Sequence, residues 1–200
     1  KHEGDTSVTG GVVMQLKSAK IAGLTVDGAG FQGAMKFLDG VTDKEGRACY
    51  GPDGNTAKTS SMTAVGMVCR QFMGVPNADL LLVKASDAIL KDLPDWQGAA
   101  AADASVGRGD VGFYYWYYGT LAMFQMGGRQ WETWNAALKP TLVNNQCKGP
   151  LPLGSGLEDK DGSWDPNGSY IDKYGGRVFT TAVGALTLEV YYRYLPMYAK

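Results

Sequence analysis

Histidine and cysteine are scarce in this chain of 200 residues. The single histidine, His2, lies at its beginning, and three cysteines, Cys49, Cys69 and Cys147, form no Cys-x-x-Cys pair. A Ser-His-Asp triad needs an internal histidine, and zinc sites take most ligands from histidine and cysteine. The sequence therefore disfavours triad hydrolases and a disulfide framework, and it predicts no metal and no cofactor. Cys69 lies in an apolar stretch and is predicted to be a buried free thiol.

Neither sign of charge is in excess, and long apolar runs are missing. The chain has 19 basic and 20 acidic residues, with a net charge of -1. Nucleic-acid binders usually present a basic face, whereas here the basic residues are scattered among acids, so no nucleic-acid partner is predicted. No run approaches the roughly 18 apolar residues that span a bilayer, so no transmembrane segment is predicted. The length and the 44% hydrophobic share fit one domain over residues 1–200.

Glycine, in contrast, is abundant, with 28 residues against a usual share of about 7%. Several glycines fall inside predicted apolar helices, where each costs about 0.5–1 kcal/mol relative to alanine. Close approach between helices would compensate for this cost. The glycines in this class are Gly10, Gly11, Gly66, Gly119 and Gly184.

Helical periodicity extends through nearly the whole sequence. Two sets of helices are predicted, and they differ in polarity. Helices of the first set are apolar nearly all round and must be enclosed by others, whereas those of the second set have one solvated side. The first set comprises 6–23, 60–74, 113–127 and 178–195, and the second set comprises 28–41, 79–93 and 131–146.

Part of the sequence repeats. TGGVVMQL from Thr9, TAVGMVCR from Thr63 and TAVGALTL from Thr181 share a threonine, small residues and then bulky apolar residues. In the third apolar helix, YGTLAMFQ from Tyr118 takes the place of this segment. The turn Asp43-Lys44-Glu45-Gly46 returns as Asp159-Lys160-Asp161-Gly162. These repeats predict duplicated helical hairpins, each with one enclosed and one amphipathic helix, packed as an inner and an outer layer.

Two predicted insertions interrupt the hairpins. Residues 97–110 are rich in alanine and glycine and predict a flexible loop. Residues 149–176 contain Pro150, Pro152, Pro166 and several glycines, which predict an irregular segment. Irregular stretches of this length in a compact domain are usually functional.

Two further motifs connect the hairpins to a known family. Gln146, followed after an insertion by Gly162-Ser163-Trp164, looks like a stretched glutamine-to-tryptophan repeat motif, and Tyr114 to Gly128 is followed by Trp131, Trp134 and Asn135. With these motifs the chain resembles the prenyltransferase and squalene-oxidase repeat family, which includes squalene-hopene cyclases and protein prenyltransferase β subunits. It looks most like uncharacterised bacterial members.

The resemblance implies an all-α fold in which about seven helices form an α/α toroid-like array of hairpins. Because the chain has fewer hairpins than close a toroid, it is expected to form an open or partial toroid, to be a fragment, or to pair with another copy. The family's catalytic motifs are missing. No Asp-x-Asp-Asp string of the cyclases occurs, and no internal histidine completes the zinc ligands of the prenyltransferases.

The most unusual feature is the aromatic run from Phe113 to Tyr118. Aromatic faces that line a cavity bind apolar chains or stabilise cations. The alternative is that these rings pack in the core, because six consecutive aromatic residues point in every direction around a helix. Tyr114, Tyr117 and Tyr118 share one helix face, and Trp116 and Tyr117 share another with Thr120, so one of these two faces is expected to line any cavity. The candidate ligand-binding residues are Tyr114, Trp116, Tyr117, Tyr118 and Trp164.

Three acids are catalytic candidates. Asp5 and Asp110 precede predicted inner helices, where each would act as a general acid if burial raised its pKa, or would cap the helix. Asp161 belongs to an alternating acidic segment that offers oxygen ligands to a cation such as calcium, or forms a turn. The segment lacks the glycine and the glutamate that are diagnostic of an EF-hand.

Three functions remain open at this point. The first is a toroid module that binds an apolar small molecule or a protein partner on an aromatic-lined concave face. The second is an enzyme of the terpenoid-cyclase type that uses a non-standard acid. The third is a glycan-binding or glycan-cleaving toroid, since tyrosine and tryptophan stack on sugars.

Overall fold

A computed structural model describes residues 4–52, 57–96, 112–149, 160–166 and 169–193. Within these ranges the chain has seven helices of ten or more residues, one of four residues, and one two-stranded sheet. The prediction of an all-α fold with about seven helices is confirmed. In chain order the elements are α1 (Thr6–Ile21), α2 (Gly28–Val41), β1 (Ala48–Cys49), β2 (Lys58–Thr59), α3 (Ser60–Phe72), α4 (Leu80–Ile89), α5 (Phe113–Met126), α6 (Gly128–Asn144), α7 (Tyr170–Leu188) and α8 (Val190–Arg193).

Short polar side chains determine where several helices begin. Asp5, Asp27, Thr59 and Asp79 each accept hydrogen bonds from backbone N–H groups of the first turn that follows. These N–H groups have no partner within the helix, so the caps satisfy them. At Gly127 the φ of 70°, which favours glycine, ends α5 and redirects the chain into α6.

The helices form two layers. Helices α1, α3, α5 and α7 lie side by side in that order, while α2 packs on α1, α4 on α3 and α6 on α5. This is the predicted hairpin arrangement, with the apolar helices in one layer and the amphipathic helices in the other. The curvature of the row into a toroid stays a prediction.

The core is centred on α3 and α5. Every residue of α3 from Ser61 to Phe72 is buried. Glycine allows the close contacts here: a Cβ added to Gly119 would lie 2.5 Å from the Trp134 ring, and one added to Gly10 would lie 2.5 Å from Val65 Cγ1. The predicted role of these glycines in helix approach is confirmed, whereas Gly11 faces open space.

The predicted turn repeat is also present in three dimensions. Gly46 and Gly162 occupy equivalent positions with φ of 77° and 73°. Two residues after each glycine, a backbone N–H donates to the threonine that begins the following repeat. Ala48 N donates to Thr63 Oγ1 at 3.0 Å, and Trp164 N donates to Thr181 Oγ1 at 3.3 Å. Asp159, the first residue of the second turn, lies outside the described residues.

Two predictions are wrong in part. Helices α1 and α7 are not enclosed, because they lie at the two ends of the row and each exposes one face. The insertion predicted for residues 149–176 is helical from Tyr170, where Ser169 and Asp172 form a capping box, and the helix kinks at Gly176 with φ of 63°. The insertion predicted for residues 97–110 lies outside the described residues.

Candidate functional site

The rings of Tyr114, Tyr117 and Tyr118 form one group, here called the tyrosine cluster. The centroid of the Tyr118 ring lies 4.9 Å from that of Tyr114 and 5.2 Å from that of Tyr117. Tyr117 and Tyr118 follow Tyr114 by three and four positions on α5, so the three residues lie on one helix face. Tyr118 is buried, while Tyr114 and Tyr117 are half-buried. The structure thus brings together three of the five aromatic residues predicted to bind a ligand.

The tyrosine cluster lies on the side of α5 that faces away from the outer layer. Gly119 packs against Trp134 of α6, and Tyr117, two residues earlier, points about 160° away around the helix. Tyr118 extends across the row toward α1, because a Cβ added to Gly10 would lie 3.8 Å from the Tyr118 hydroxyl oxygen. The cluster therefore belongs to the inner surface of the helix row.

Trp116 and Trp164 have a different environment, since both are buried in the core. The Trp116 ring packs 5.0 Å from the Phe113 ring, and the Trp164 indole N–H donates to the Leu142 carbonyl at 2.8 Å. Their surroundings favour the core alternative over the ligand-binding one. Trp164 also contacts Gly184, which ties the turn to α7.

The two parts of the glutamine-to-tryptophan motif come together at this turn. Gln146 Nε2 donates to the Gly162 carbonyl at 2.8 Å, although sixteen positions separate them. Backbone bonds between Cys147 and the Gly162-Ser163 pair reinforce the contact. The motif therefore holds the end of α6 to the turn that precedes α7.

A second aromatic group continues along the same face of α5. Phe124 lies two helical turns after Tyr117, and its ring is 5.1 Å from the Trp131 ring, which is 5.5 Å from the Tyr191 ring. Partial burial raises the pKa of Tyr191 above its ordinary value. Phe124 was missed as a candidate residue, although its spacing of seven residues from Tyr117 is the signal that identifies it.

Asp5 is a helix cap. Its carboxylate accepts from the Val8 N–H at 2.7 Å and from the Ser7 hydroxyl at 2.6 Å. Partial burial acts to raise the pKa of Asp5, but hydrogen bonds from Ser7, Val8 and Tyr50 together lower it below its ordinary value. Asp5 is therefore ionised at neutral pH, which favours the capping alternative over that of a general acid.

The acidic segment forms a turn in its described part. Asp161 Oδ1 accepts from the Gly149 N–H at 2.8 Å, and Asp165 pairs with Arg177. The Ser163 hydroxyl is held by Arg177 Nη1 at 2.7 Å. These partners favour the turn alternative for Asp161 over catalysis. Asp110, the remaining catalytic candidate, lies outside the described residues.

A buried acid that was not among the candidates joins two inner helices. Asp172 is fully buried, and its Oδ2 accepts from the N–H groups of Phe113 and Ser169, each at 3.2 Å. One carboxylate thereby caps the starts of both α5 and α7. The spacing Ser-x-x-Asp at Ser169 is the sequence signal for this capping box. Gly112 leaves the space for it, because a Cβ there would clash with Asp172 Oδ2.

A polar cavity of about 300 Å³ lies near the start of α3 and the end of α4. Its lining includes three cations, Arg47, Lys58 and Lys91, and the carboxylate of Asp92. Lys58 Nζ donates to the Val41 carbonyl at 2.7 Å, and the Ser60 hydroxyl donates to Asp92. Charged groups in the lining would have to lose water to receive a hydrocarbon, so this cavity does not suit an apolar ligand.

The described residues also bear on metal sites and membrane spans. Across residues 4–193, with the gaps given above, no group of three or more His, Cys, Asp or Glu side chains is placed to hold a metal ion. The same ranges contain no helix with the length and apolarity needed to cross a membrane.

Comparison with protein-family models, curated proteins and solved structures finds no match to this chain. The resemblance to the prenyltransferase and squalene-oxidase repeat family therefore rests on the sequence motifs and stays a prediction.

Proposed function

We propose that the chain is a helical-hairpin binding module whose tyrosine cluster receives an apolar ligand or an apolar segment of a protein partner. The observation that carries the proposal is the contact among three tyrosine rings on the inner surface of the row, with Tyr114 and Tyr117 only half-buried. Two partly accessible rings backed by a buried third ring provide a rigid aromatic surface.

The chemistry of α5 supports an apolar occupant. The helix contains no charged residue, so burying its inner surface does not remove a charge from water. Tyrosine is enriched among the residues that dominate binding energy, because its ring buries a large apolar area while its hydroxyl group forms hydrogen bonds. The tyrosine cluster combines these properties on one helix face.

The properties of Asp5 and Asp161 favour a binding function over an enzyme that cyclises its substrate by protonating it. A cyclase of the terpenoid type needs a carboxylic acid that is still protonated when it meets the substrate. The lowered pKa of Asp5 and the turn contacts of Asp161 are those of structural carboxylates. The enzyme alternative therefore depends on Asp110, outside the described residues, and stays a prediction.

Glycan binding is a second candidate, and a separate observation favours it. The rings of Tyr170 and Tyr174 lie 4.3 Å apart at the start of α7, and both are exposed. Exposed aromatic rings of this kind stack on the apolar faces of sugars. A glycan array would test this candidate: binding that Tyr174→Ala abolishes and Tyr117→Ala leaves intact would support it, and an array without signal would end it.

The test of the main proposal compares Tyr117→Ala with Tyr192→Ala. Tyr192, 93% exposed on α8, lies outside the tyrosine cluster and serves as the matched control. Geranylgeraniol is expected to raise the melting temperature of the unmodified chain and of the control, but not that of Tyr117→Ala. For a protein partner, a photo-cross-linking residue at position 117 is expected to capture a defined apolar segment that the same residue at position 192 does not.

The outcomes separate the two occupants. A rise in melting temperature with geranylgeraniol but no cross-linked segment identifies a small-molecule site. A cross-linked segment without that rise identifies a protein partner. Equal behaviour of the Tyr117 and Tyr192 variants in both assays would contradict the proposal.

A further inference from the structure

The repeat allows three inner helices to be compared position by position. Thr9 in α1, Thr63 in α3 and Thr181 in α7 are equivalent. We define face A as the first and fourth residues after this threonine, and face B as the third and sixth. Face A consists of Gly10 and Val13 in α1, Ala64 and Met67 in α3, and Ala182 and Ala185 in α7. Face B consists of Val12 and Gln15 in α1, Gly66 and Cys69 in α3, and Gly184 and Thr187 in α7.

The burial of the two faces is complementary at the two ends of the row. In α3 both faces are buried. In α1 face A is buried and face B is exposed, whereas in α7 face B is buried and face A is exposed. The same pattern extends one turn toward the start of each helix. Val8, on the face B side of α1, is 61% exposed, and Val178, on the face A side of α7, is 84% exposed.

Internal contacts show what each face receives. Face A meets the next helix: Gly10 packs against Val65 of α3, and Gln71, one turn beyond Met67, donates to the Ala122 carbonyl of α5 at 3.1 Å. Face B meets the preceding hairpin. Gly66 faces Ala48 and Leu38 at contact distance.

The contact of face B recurs in α7, where Gly184 packs against Trp164 and Phe113. In these helices face A therefore points toward the next inner helix, and face B points toward the preceding hairpin and its turn. The side of α7 that points toward a next helix is exposed, and so is the side of α1 that points toward a preceding hairpin.

We infer that a second copy of this chain covers these surfaces, with the exposed face A of α7 in one copy packed against the exposed face B of α1 in the next. The arrangement places α1 of one copy beside α7 of another, where a next inner helix would follow in the row that the chain builds itself. The positions concerned carry no charged residue, namely Val8, Val12 and Gln15 on α1 and Val178, Ala182 and Ala185 on α7. The exposed Glu189, one turn beyond Ala185, is the first charged residue along face A of α7. The inference does not depend on the tyrosine cluster.

The contact is heterologous, because two different surfaces meet. Such contacts generate closed rings or open chains of copies, in contrast to the symmetric dimers formed by identical surfaces. The masses of the assemblies therefore distinguish this contact from a symmetric dimer.

The experiment measures mass by sedimentation and light scattering over a range of protein concentrations. The unmodified chain is expected to exceed the monomer mass as concentration rises. Val12→Glu disables the α1 surface and Ala182→Glu the α7 surface, so each variant alone is expected to stay monomeric. An equimolar mixture is expected to give dimers and nothing larger, because each variant keeps one intact surface.

Val143→Glu, at an exposed apolar position on the outer helix α6, is the control and is expected to associate like the unmodified chain. A second pair, Val8→Glu and Val178→Glu, repeats the test if either first variant melts abnormally. An unmodified chain that stays monomeric at several hundred micromolar, a mixture that stays monomeric, or a Val12→Glu chain that dimerises alone would each overturn the inference.

Discussion

Helices α1 and α3 carry the same repeat, from Thr9 and Thr63, but only α3 is buried on all sides. The sixth residue after the threonine is exposed in α1, as Gln15, and fully buried in α3, as Cys69. Helix α3 lies between α1 and α5, whereas α1 lies at one end of the row. The position of a helix in the row therefore decides which residues of its repeat are buried.

The largest expected effect is on thiol reactivity at this sixth position. In a Cys147→Ser background, we expect Gln15→Cys to react with a thiol reagent within the dead time and Cys69 to react orders of magnitude more slowly, through unfolding. The comparison is made at low protein concentration, where copies do not associate. Rapid modification of Cys69 in the folded chain would contradict the enclosure of α3.

The pH dependence of the unfolding free energy is a second test of the burial of Cys69. Burial raises the pKa of its thiol from the ordinary 9.0 to about 12. Because the folded-state pKa is raised, the protonated thiol contributes to stability below pH 9, and this contribution is lost as the pH rises toward 12. Cys69→Ala is expected to flatten the dependence of the unfolding free energy on pH in this window, as measured by denaturant titration.

A smaller effect is expected from one substitution at equivalent positions of face A. Ala64 of α3 is fully buried and Ala182 of α7 is exposed. Ala64→Lys places an unpaired charge in the core and should lower the unfolding free energy by about 3 kcal/mol or more. Ala182→Lys should change it by no more than about 0.5 kcal/mol. Equal losses in denaturant titrations at low protein concentration, where copies do not associate, would show that α7 is enclosed like α3.

The smallest expected effects compare two glycines within the inner helices. Gly119→Ala forces a Cβ to within 2.5 Å of the Trp134 ring and should destabilise the chain by about 1–2 kcal/mol. Gly11→Ala meets nothing within 4 Å and should stabilise it by up to about 1 kcal/mol through helix propensity. Thermal melts distinguish the opposite signs, and a stabilising Gly119→Ala would contradict the close approach of α5 and α6.

The features predicted well from sequence are local or periodic. Asp5 was a predicted cap because a carboxylate beside a helix start satisfies free N–H groups in any tertiary context. The equivalence of the two turns followed from their matching residues, and the contacts to Thr63 and Thr181 bear it out.

The features predicted poorly depend on distant neighbours. Trp116 and Tyr117 are adjacent aromatic residues, yet one is buried and the other half-buried. Phe113 and Trp96 surround Trp116, and nothing in the local sequence distinguishes the two rings. Asp172 was overlooked because one of its two helix starts lies 59 positions away.

By itself the sequence determined the helices, the cap at Asp5, the hairpin repeat and most of the glycines that let the helices approach, because these follow from local hydrogen bonding and from the period of the apolar residues. Only the tertiary structure decided that three tyrosines form a cluster on the inner surface, and that α1 and α7 each leave one repeat face in water. The physical reason is that burial is a property of neighbours, and the neighbours of α1 and α7 differ on their two sides.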